Sequence, residues 1–463
     1  MATRSTASSG TDPQDPGTSG TPGTPGTAGG SETPEPPATG PDQRAYDPAR
    51  RAFFFQFGRQ AASAAGQVAG MADIVGRTSS ALAGELLGLD EPSSATEGRT
   101  FTRSGAATDP VVSAAQPAAE HAFRSAYRLS EEGLVLLDQR RLPEALEEVV
   151  AKRGSDVAYY LRLGVARGGP LMAQVAAYGL WLTAVERADA PVEQRRAELQ
   201  RTSSALIDAR ASSRSLAWAV DRMRRATDRL EPSAPGAQVA AALRIEADAI
   251  ADEVTAAEAA MALALEEALR QEPGRPLTVL LHGCQGSLVA GQLGAGLVAF
   301  QRIREAGRDL RVFVTEGRPF MDGARLLSWE LRQAGIEHKV LPDAAAAWLL
   351  DREPVDAVVT RAEWVAANGD AGALLGARAL AQLTAAARSV DGVTRFLLVA
   401  PAAVIDTDTP DGSFIPSESR PARELTAYLS DTPIRAADAL VPAADIVPAA
   451  LIDTLVTEQD AYA

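Results

Sequence analysis

The stretch TVLLHGCQGS, residues 278–287, decides the fold of this chain because it joins a β-type run to a glycine turn. Its first five residues form an apolar run that is typical of a buried strand. Gly283 and Gly286 follow at once, and a helical pattern then continues to about Ala306. A buried strand, a glycine turn and a helix together make the repeating unit of a parallel α/β fold.

The same rhythm recurs along the C-terminal part of the chain. Four more β-rich runs follow: DLRVFVTE from Asp309, HKVLP from His338, VDAVVT from Val355 and TRFLLVAP from Thr394. Helical patterns lie between them, at residues 320–334, 344–351 and 374–388. The alternation predicts a Rossmann-like α/β domain with a doubly wound parallel sheet over residues 273–463.

Composition divides the rest of the chain into four segments. Residues 1–44 are rich in Pro, Gly and Thr, which predicts a disordered tail. Residues 45–88, which contain FFFQF from Phe53, are predicted to form a short helical segment, and residues 89–118 a second linker. Residues 119–272 have helical spacing and predict a helical N-terminal domain. Within it, Pro191 and Pro235 mark the expected starts of two helices, because proline is favoured near the first turn. The aromatic segment is either a fraying helix packed on the body or a docking peptide for a protein partner.

Charge and composition exclude several classes of protein. The 45 basic and 60 acidic residues give a net charge of −15, which disfavours nucleic acids and anionic membranes as partners. One cysteine and three dispersed histidines offer neither a disulfide nor the ligand spacing of a metal site, so we expect no metal and no cofactor. No secretory signal and no apolar span of about 20 residues are visible, which predicts a cytoplasmic protein.

Polar side chains are expected at one edge of the predicted sheet. In parallel sheets, ligands bind at the carboxyl ends of the strands. Those ends here carry Cys284, Glu316, Arg318, Asp343 and Glu363. The glycines after the first strand either admit a phosphate group or ease the packing of helix on sheet. The glycine spacing in GSLVAGQLG, from Gly286, differs from the dinucleotide fingerprint G-x-G-x-x-G. A P-loop is also absent, because no lysine follows these glycines.

A series of landmarks spans residues 125 to about 458. In order they are LLDQRRLP from Leu136, VARGGP from Val165, AAYG from Ala176, RASSRSLAW from Arg210, VLLHGCQG from Val279, VTEGRPFMDGAR from Val314, WEL from Trp329, VDAVVTRAE from Val355, NGD from Asn368 and VPAADIVPAALI from Val441. The series resembles the S-methyl-5-thioribose-1-phosphate isomerases and their relatives, the regulatory subunits of translation initiation factor two-B. The resemblance implies a small phosphorylated sugar as ligand and a homodimer.

The resemblance also implies a set of site residues. The substrate-binding positions are Arg167, Gly168, Gly169, Arg210, Asp322 and Gly283. Both arginines are retained, and the resemblance makes them the groups that hold the phosphate. Asp322 stands where the family has a neutral glutamine, so it can instead neutralise an arginine within the protein.

The catalytic positions depart from the family pattern. The place of the catalytic cysteine is taken by Gly283, and Cys284 lies one residue further on. The catalytic aspartate is replaced by Glu363, and an asparagine–lysine pair by Ala373 and Leu374. The catalytic candidates left in this chain are therefore Glu363 and Cys284.

Each candidate has a plainer interpretation. Cys284 is a nucleophile only if a neighbour such as His282 lowers its pKa; otherwise it is a small buried thiol. Glu363, beside an apolar tryptophan, is either an acid–base group with a raised pKa or a solvated carboxylate paired with Arg361.

Two functions follow from these alternatives. The first is aldose–ketose isomerisation of a phosphorylated ribose, as in methionine salvage, with the arginines on the phosphate and Glu363 moving a proton. The second is a catalytically inactive relative, similar to initiation factor two-B, that binds a sugar phosphate or nucleotide or serves as an assembly partner through its docking tail. Guanine-nucleotide exchange is a weaker third alternative.

Overall fold

The computed structural model describes residues 125–270, 275–391, 394–426 and 439–462. The predicted tail, the aromatic helical segment and the second linker lie outside the described residues, so these three predictions stay predictions.

The described chain begins with a small antiparallel sheet. Its strands are β1 (Tyr127–Ser130), β2 (Gly133–Leu137) and β3 (Glu148–Ala151), and β2 lies in the middle. The expectation of a helical pattern from about residue 119 is wrong here. β2, with the sequence GLVLL, is buried along its whole length. A short apolar run of this kind has no periodicity that separates a buried strand from a buried helix.

Five helices follow and form the helical layer. They are α1 (Gly154–Leu163), α2 (Gly169–Glu186), α3 (Val192–Ala209), α4 (Arg214–Asp228) and α5 (Gly236–Ala268). α3 and α5 begin directly after Pro191 and Pro235, in agreement with the proline signals in the sequence. α2 is buried on nearly all sides, and its many Ala and Gly residues let the neighbouring helices approach it closely.

The remaining elements form the α/β layer. The strands are β4 (Leu277–Leu281), β5 (Leu310–Thr315), β6 (His338–Leu341), β7 (Ala357–Ala366), β8 (Ala371–Leu374), β9 (Arg395–Val399), β10 (Ile405–Asp406), β11 (Ala444–Val447), β12 (Thr454–Val456) and β13 (Ala461–Tyr462). The helices are α6 (Ser287–Ala290), α7 (Ala295–Glu305), α8 (Ser328–Gln333), α9 (Ala346–Leu350), α10 (Ala377–Asp391) and α11 (Ala422–Thr426).

The main sheet confirms the predicted fold class. Its strand order is β13-β12-β9-β7-β4-β5-β6, and every neighbouring pair from β12 to β6 is parallel. All five strands predicted from the sequence are present. β12 is a further parallel strand that the sequence did not reveal. β7 continues beyond the parallel core and pairs there with β8, which in turn pairs with β11, both antiparallel.

Several predicted helices differ in detail. The helix after β4 is divided into α6 and α7 at Gly291, whose φ of +102° breaks the helical path. The helix expected over residues 320–334 is a π-helical turn, Gly323–Leu327, followed by α8. The helix expected from Leu374 begins at Ala377, because the preceding residues belong to β8.

A buried ion pair joins the helical layer to the sheet. Arg361 of β7 donates a hydrogen bond to Glu258 of α5, and both side chains are almost fully buried. The second oxygen of Glu258 accepts a hydrogen bond of 2.8 Å from the Ala295 N–H at the start of α7. One carboxylate therefore ties α5 both to β7 and to the helix that follows β4.

We predict that Arg361→Ala destabilises the protein by about 3–5 kcal/mol, because it leaves the Glu258 carboxylate buried without its cation. The measurement is the free energy of unfolding in urea. The control is Arg128→Ala, which breaks the exposed pair between Arg128 and Glu148 and is expected to cost less than about 1 kcal/mol. Equal small losses in both variants would contradict the role given to the buried pair.

Candidate functional site

The Arg-Gly-Gly-Pro turn between α1 and α2 presses closely against the α/β layer. Gly168 has a φ of +100°, and a β-carbon at this position would overlap Val289 at the end of α6. A β-carbon on Gly169 would lie 2.7 Å from Glu363 Oε2 and 3.1 Å from Ser215 Oγ. Glycine is therefore required at both positions. Gly168 needs it for its positive φ and for space, and Gly169 needs it for space.

Arg167 is held on two sides. Its Nε donates a hydrogen bond of 3.2 Å to Asp322 Oδ2, and its guanidinium lies 4.0 Å from the centre of the Phe320 ring. The aromatic face and the carboxylate both favour the charged guanidinium. Asp322 thus contacts an arginine directly, and its Oδ1 is buried without a hydrogen-bond partner among the described residues.

Arg210, at the end of α3, is the second arginine of the site. Its Nε lies 3.5 Å from Glu418 Oε2, too poorly placed for a hydrogen bond, and its Nε and Nη1 are buried without a hydrogen-bond partner in the described ranges. Burial, followed by the positive charge of Arg167, lowers the pKa of Arg210. Glu418 itself accepts hydrogen bonds of 2.9 Å from Ser212 Oγ and 2.6 Å from Arg420. Arg210 therefore has buried donors that an anion can satisfy.

Glu363 connects β7 to the glycine turn. Its Oε1 accepts a hydrogen bond of 3.2 Å from the Gly169 N–H, and its Oε2 accepts one of 3.3 Å from Ser213 Oγ. Burial raises the pKa of this carboxyl, and the charges of Arg210 and Arg361 act in the opposite direction. The guanidinium of Arg361 is hydrogen-bonded to Glu258 instead.

Cys284 lies in an unreactive environment. Its thiol is 7% exposed and donates a hydrogen bond of 3.3 Å to the Asp322 carbonyl oxygen. Burial, with the nearby Asp322 and Glu330, raises the pKa of the thiol well above its usual value. The His282 ring nitrogens contact Thr315 Oγ1 at 2.8 Å and the Leu375 carbonyl oxygen at 3.0 Å. Both nitrogens of His282 are thus engaged away from the thiol.

The positions that the resemblance makes catalytic lie side by side. A β-carbon on Gly283, which has a φ of +76°, would be 3.2 Å from Leu374 Cδ2. The resemblance assigns to Gly283 the place of a catalytic cysteine and to Leu374 the place of a lysine. In this chain the two positions are a glycine and a leucine methyl group that lie next to each other.

The glycines after β4 fit the packing interpretation. A β-carbon on Gly286 would overlap the carboxylate of Glu330, and one on Gly294 would overlap the backbone of Gly286. Glu330 accepts a hydrogen bond of 2.9 Å from the Leu288 N–H, and burial raises its pKa to about 8. Glu330, which the sequence offered only within the WEL landmark, thus lies directly beneath the turn that carries Cys284.

Two of the residues predicted at the sheet edge, Asp343 and Arg318, contact each other and not Arg167 or Arg210. Asp343 accepts hydrogen bonds from the N–H groups of Gly317, at 2.9 Å, and Arg318, at 2.7 Å. The side chain of Arg318 donates to the Leu425 carbonyl oxygen at 2.6 Å. The structure brings together Arg167, Gly169, Arg210, Asp322 and Glu363, together with Ser213 and Glu418, which the sequence did not indicate.

Within the part of the chain that the structure describes, no group of histidine, cysteine or acidic residues has the arrangement of a metal site. None of the helices in the same residues combines the length and apolarity needed to cross a membrane.

The fold and the site together define a class, that of Rossmann-like α/β proteins with a helical layer that supplies two arginines to the sheet. The model of the Initiation factor 2 subunit family matches residues 165–462. The methylthioribose-1-phosphate isomerase of Pseudomonas aeruginosa is 35% identical over 326 residues, which cover 70% of this chain and 88% of that protein. The chain belongs to the Initiation factor 2 subunit family.

Further relatives agree with this assignment. The methylthioribose-1-phosphate isomerase of Desulforudis audaxviator is 37% identical over 327 residues, 70% of this chain and 90% of that protein. The crystal structure of 5-methylthioribose 1-phosphate isomerase from Pyrococcus horikoshii superposes with a TM-score of 0.63 at 25% identity and covers 73% of this chain and 92% of its own. The delta subunit of translation initiation factor eIF-2B from A. fulgidus shares the fold, with a TM-score of 0.59 at 24% identity over 73% of this chain and 96% of its own.

We predict that Cys284 in the native protein reacts with a maleimide at least about tenfold more slowly than in the protein unfolded in urea, because a buried protonated thiol is a poor nucleophile. Mass spectrometry of the labelled protein at neutral pH measures both rates. Complete labelling of the native protein at the rate of the unfolded chain would contradict the buried, protonated state of the thiol.

Proposed function

We propose that this protein binds a phosphorylated pentose between Arg167, Arg210 and Glu363, and that it turns over S-methyl-5-thioribose 1-phosphate weakly or not at all. The observation that carries the proposal is Arg210, whose Nε and Nη1 are buried without a hydrogen-bond partner among the described residues, although Glu418 lies near enough for an ion pair. Leaving such charged donors without a partner costs free energy, which an oxyanion in the site removes.

The surroundings of Arg210 suit a phosphate group. The positive charge of Arg167 acts on Arg210, so two guanidinium groups converge on one region. An arginine presents its N–H groups as a fork that matches phosphate oxygens. The N-terminus of α2 at Gly169 adds the positive end of an 18-residue helix to the same region.

Asp322 and Glu418 set the selectivity of this anion site. Each carboxylate lies beside one arginine, Asp322 at 3.2 Å from Arg167 and Glu418 at 3.5 Å from Arg210. Without ligand, they offset part of the positive charge of the two guanidinium groups. A phosphate ester with hydroxyl groups can donate hydrogen bonds to these carboxylates while its oxygens accept from the arginines. We therefore propose a sugar phosphate rather than a plain inorganic anion.

The expected loss of turnover follows from the reacting groups. Aldose–ketose isomerisation moves a proton from carbon 2 to carbon 1 of the opened sugar, and a positioned side chain must carry it. Glu363 is the acid–base candidate at this place, and its carboxylate already accepts two hydrogen bonds from the protein. The neighbouring pair Gly283 and Leu374 offers no thiol and no ammonium group. We propose that any residual turnover depends on Glu363.

The alternative is a protein without a sugar ligand that acts through assembly. FFFQF from Phe53, between two linkers, is the feature that favours a protein partner. We propose a homodimer and a cytoplasmic location with either alternative. The family resemblance implies the homodimer, and the net charge of −15 disfavours membranes and nucleic acids as partners.

We predict that ribose phosphates bind the full-length protein in calorimetric titrations and that Arg167→Ala and Arg210→Ala each weaken binding by about 2 kcal/mol, the scale of a lost charged hydrogen bond. The matched control is Arg141→Ala, which removes an arginine whose side chain is 56% exposed and is expected to leave binding unchanged. Absence of binding by any pentose phosphate, or equal binding by all variants, would leave the assembly alternative standing.

The second prediction concerns turnover. The rate on S-methyl-5-thioribose 1-phosphate, followed by NMR, should be at least about 100-fold below that of the Pseudomonas aeruginosa relative assayed in parallel, because Gly283, at the place that the resemblance gives to a catalytic cysteine, carries no thiol. Glu363→Gln should remove what remains, and Cys284→Ala should leave it unchanged. A rate equal to that of the relative would show that the changed positions are compatible with full catalysis.

A further inference from the structure

A cavity lies beside the arginine site, between α2, α4 and α5. Pro170, the residue after the glycine turn, lines it, together with residues of the segment after β9 and of the chain after β12. The residues around it are Pro170, Ala173, Ser215, Trp218, Glu253, Val254, Ala257, Glu258, Pro401, Ala403 and Glu458. The proposed pentose phosphate site does not use this cavity.

The charge of the cavity wall has one sign. Among the described residues, three glutamates line it, and no lysine, arginine or histidine does. Two of the three glutamates already form ion pairs with arginines: Glu253 pairs with Arg222, and Glu258 pairs with Arg361. The third, Glu458, is different. It accepts hydrogen bonds of 2.9 and 3.1 Å from the Ala402 N–H, and the described residues include no ion-pair partner for it.

A buried hydroxyl group faces the same cavity. Ser215 is 1% exposed and lines the wall, and its Oγ has no hydrogen-bond partner in the described part of the chain. Buried polar side chains in folded proteins are nearly always hydrogen-bonded, so an unpaired one at a cavity wall indicates a missing partner. The hydroxyl oxygen can accept a hydrogen bond from a cationic donor.

The remaining wall is apolar. It consists of proline, alanine and valine side chains, with the ring of Trp218, which already lies 5.0 Å from the guanidinium of Arg222. Apolar walls bury the carbon part of a ligand, and an indole ring attracts a cation by its electrostatic quadrupole. The cavity suits a metal ion poorly, because two of its three carboxylates are already paired with arginines and most of the other lining residues are apolar.

We propose that this cavity binds a small organic amine in its protonated form. The ammonium group donates hydrogen bonds to the Glu458 carboxylate and to Ser215 Oγ, and the alkyl part of the molecule packs against Pro170, Ala173 and Val254. The cavity adjoins the two-arginine site, because Ser215 Oγ and Glu363 Oε2 both lie close to the position that a β-carbon on Gly169 would take. Arg167, Arg210 and Glu363 are nevertheless not among the residues that line the cavity, so the two proposals can be tested separately.

Burial and the negative charge of Glu253 raise the pKa of the Glu458 carboxyl. A bound ammonium ion has the opposite effect, because it stabilises the charged carboxylate. Binding should therefore weaken as the pH falls through the pKa of Glu458, when the carboxylate becomes neutral.

The test is a calorimetric titration of the full-length protein with n-propylammonium and ethanolammonium, with 1-propanol and ethylene glycol as neutral isosteres. We expect the amines to bind and the neutral compounds to bind at least about tenfold more weakly, the size of one charged hydrogen bond. Glu458→Gln, which keeps the oxygen that accepts from the Ala402 N–H, should weaken amine binding by at least about tenfold, and Ser215→Ala by about threefold.

The matched control is Glu267→Gln, which removes an exposed carboxylate from the same helix α5 and should leave binding unchanged. Circular dichroism and thermal unfolding of each variant establish that it is folded. Equal binding of amines and neutral isosteres, binding indifferent to Glu458→Gln, or displacement of the amine by K⁺ or Mg²⁺ at equal concentration would overturn the proposal. Since ribose phosphates are absent from this experiment, its outcome does not depend on the proposed function.

Discussion

The candidate site depends on the close approach of the Gly168–Gly169 backbone to the α/β layer. Gly168 contacts α6, and the Gly169 N–H donates to Glu363 on β7. No larger residue fits at either position. Because α2 begins at this point and is the central helix of its layer, the same two residues fix where that layer sits on the sheet. The arginine before them is thereby brought to the sheet without a long flexible connection.

The site also depends on buried ion pairs between arginines and carboxylates. Arg167, Arg210 and Arg361 each lie beside a carboxylate that comes from a distant part of the chain: Asp322, Glu418 and Glu258. A buried arginine without such a neighbour would be destabilising, so the protein has to supply partial neutralisation. Arg210 receives an ion pair without a hydrogen bond, and for this reason it is the arginine best prepared to bind an added anion.

Two positions to which the resemblance assigns catalytic residues, Gly283 and Leu374, lie in contact with each other. Gly283 follows β4 and Leu374 ends β8, and the side chain of Leu374 covers the glycine. The neighbouring Cys284 does not substitute for a thiol at position 283, because its sulfur is directed to the Asp322 carbonyl oxygen. Successive residues of an extended backbone direct their side chains to different sides. A thiol that is displaced by one residue along the chain therefore points away from the site.

The sequence by itself determined the parts of this protein that are set by local patterns. The alternation of β-rich runs and helices predicted five parallel strands, and Pro191 and Pro235 predicted the starts of two helices. The retained motifs pointed to Arg167, Arg210 and Glu363. Only the tertiary structure decided that Arg361 pairs with Glu258, that Glu418 reaches Arg210, and that Ser215 and Glu458 face one cavity. Each of these contacts joins residues that are far apart in the chain. Local periodicity indicates which side chains are buried, but it does not indicate which distant residue a buried side chain contacts.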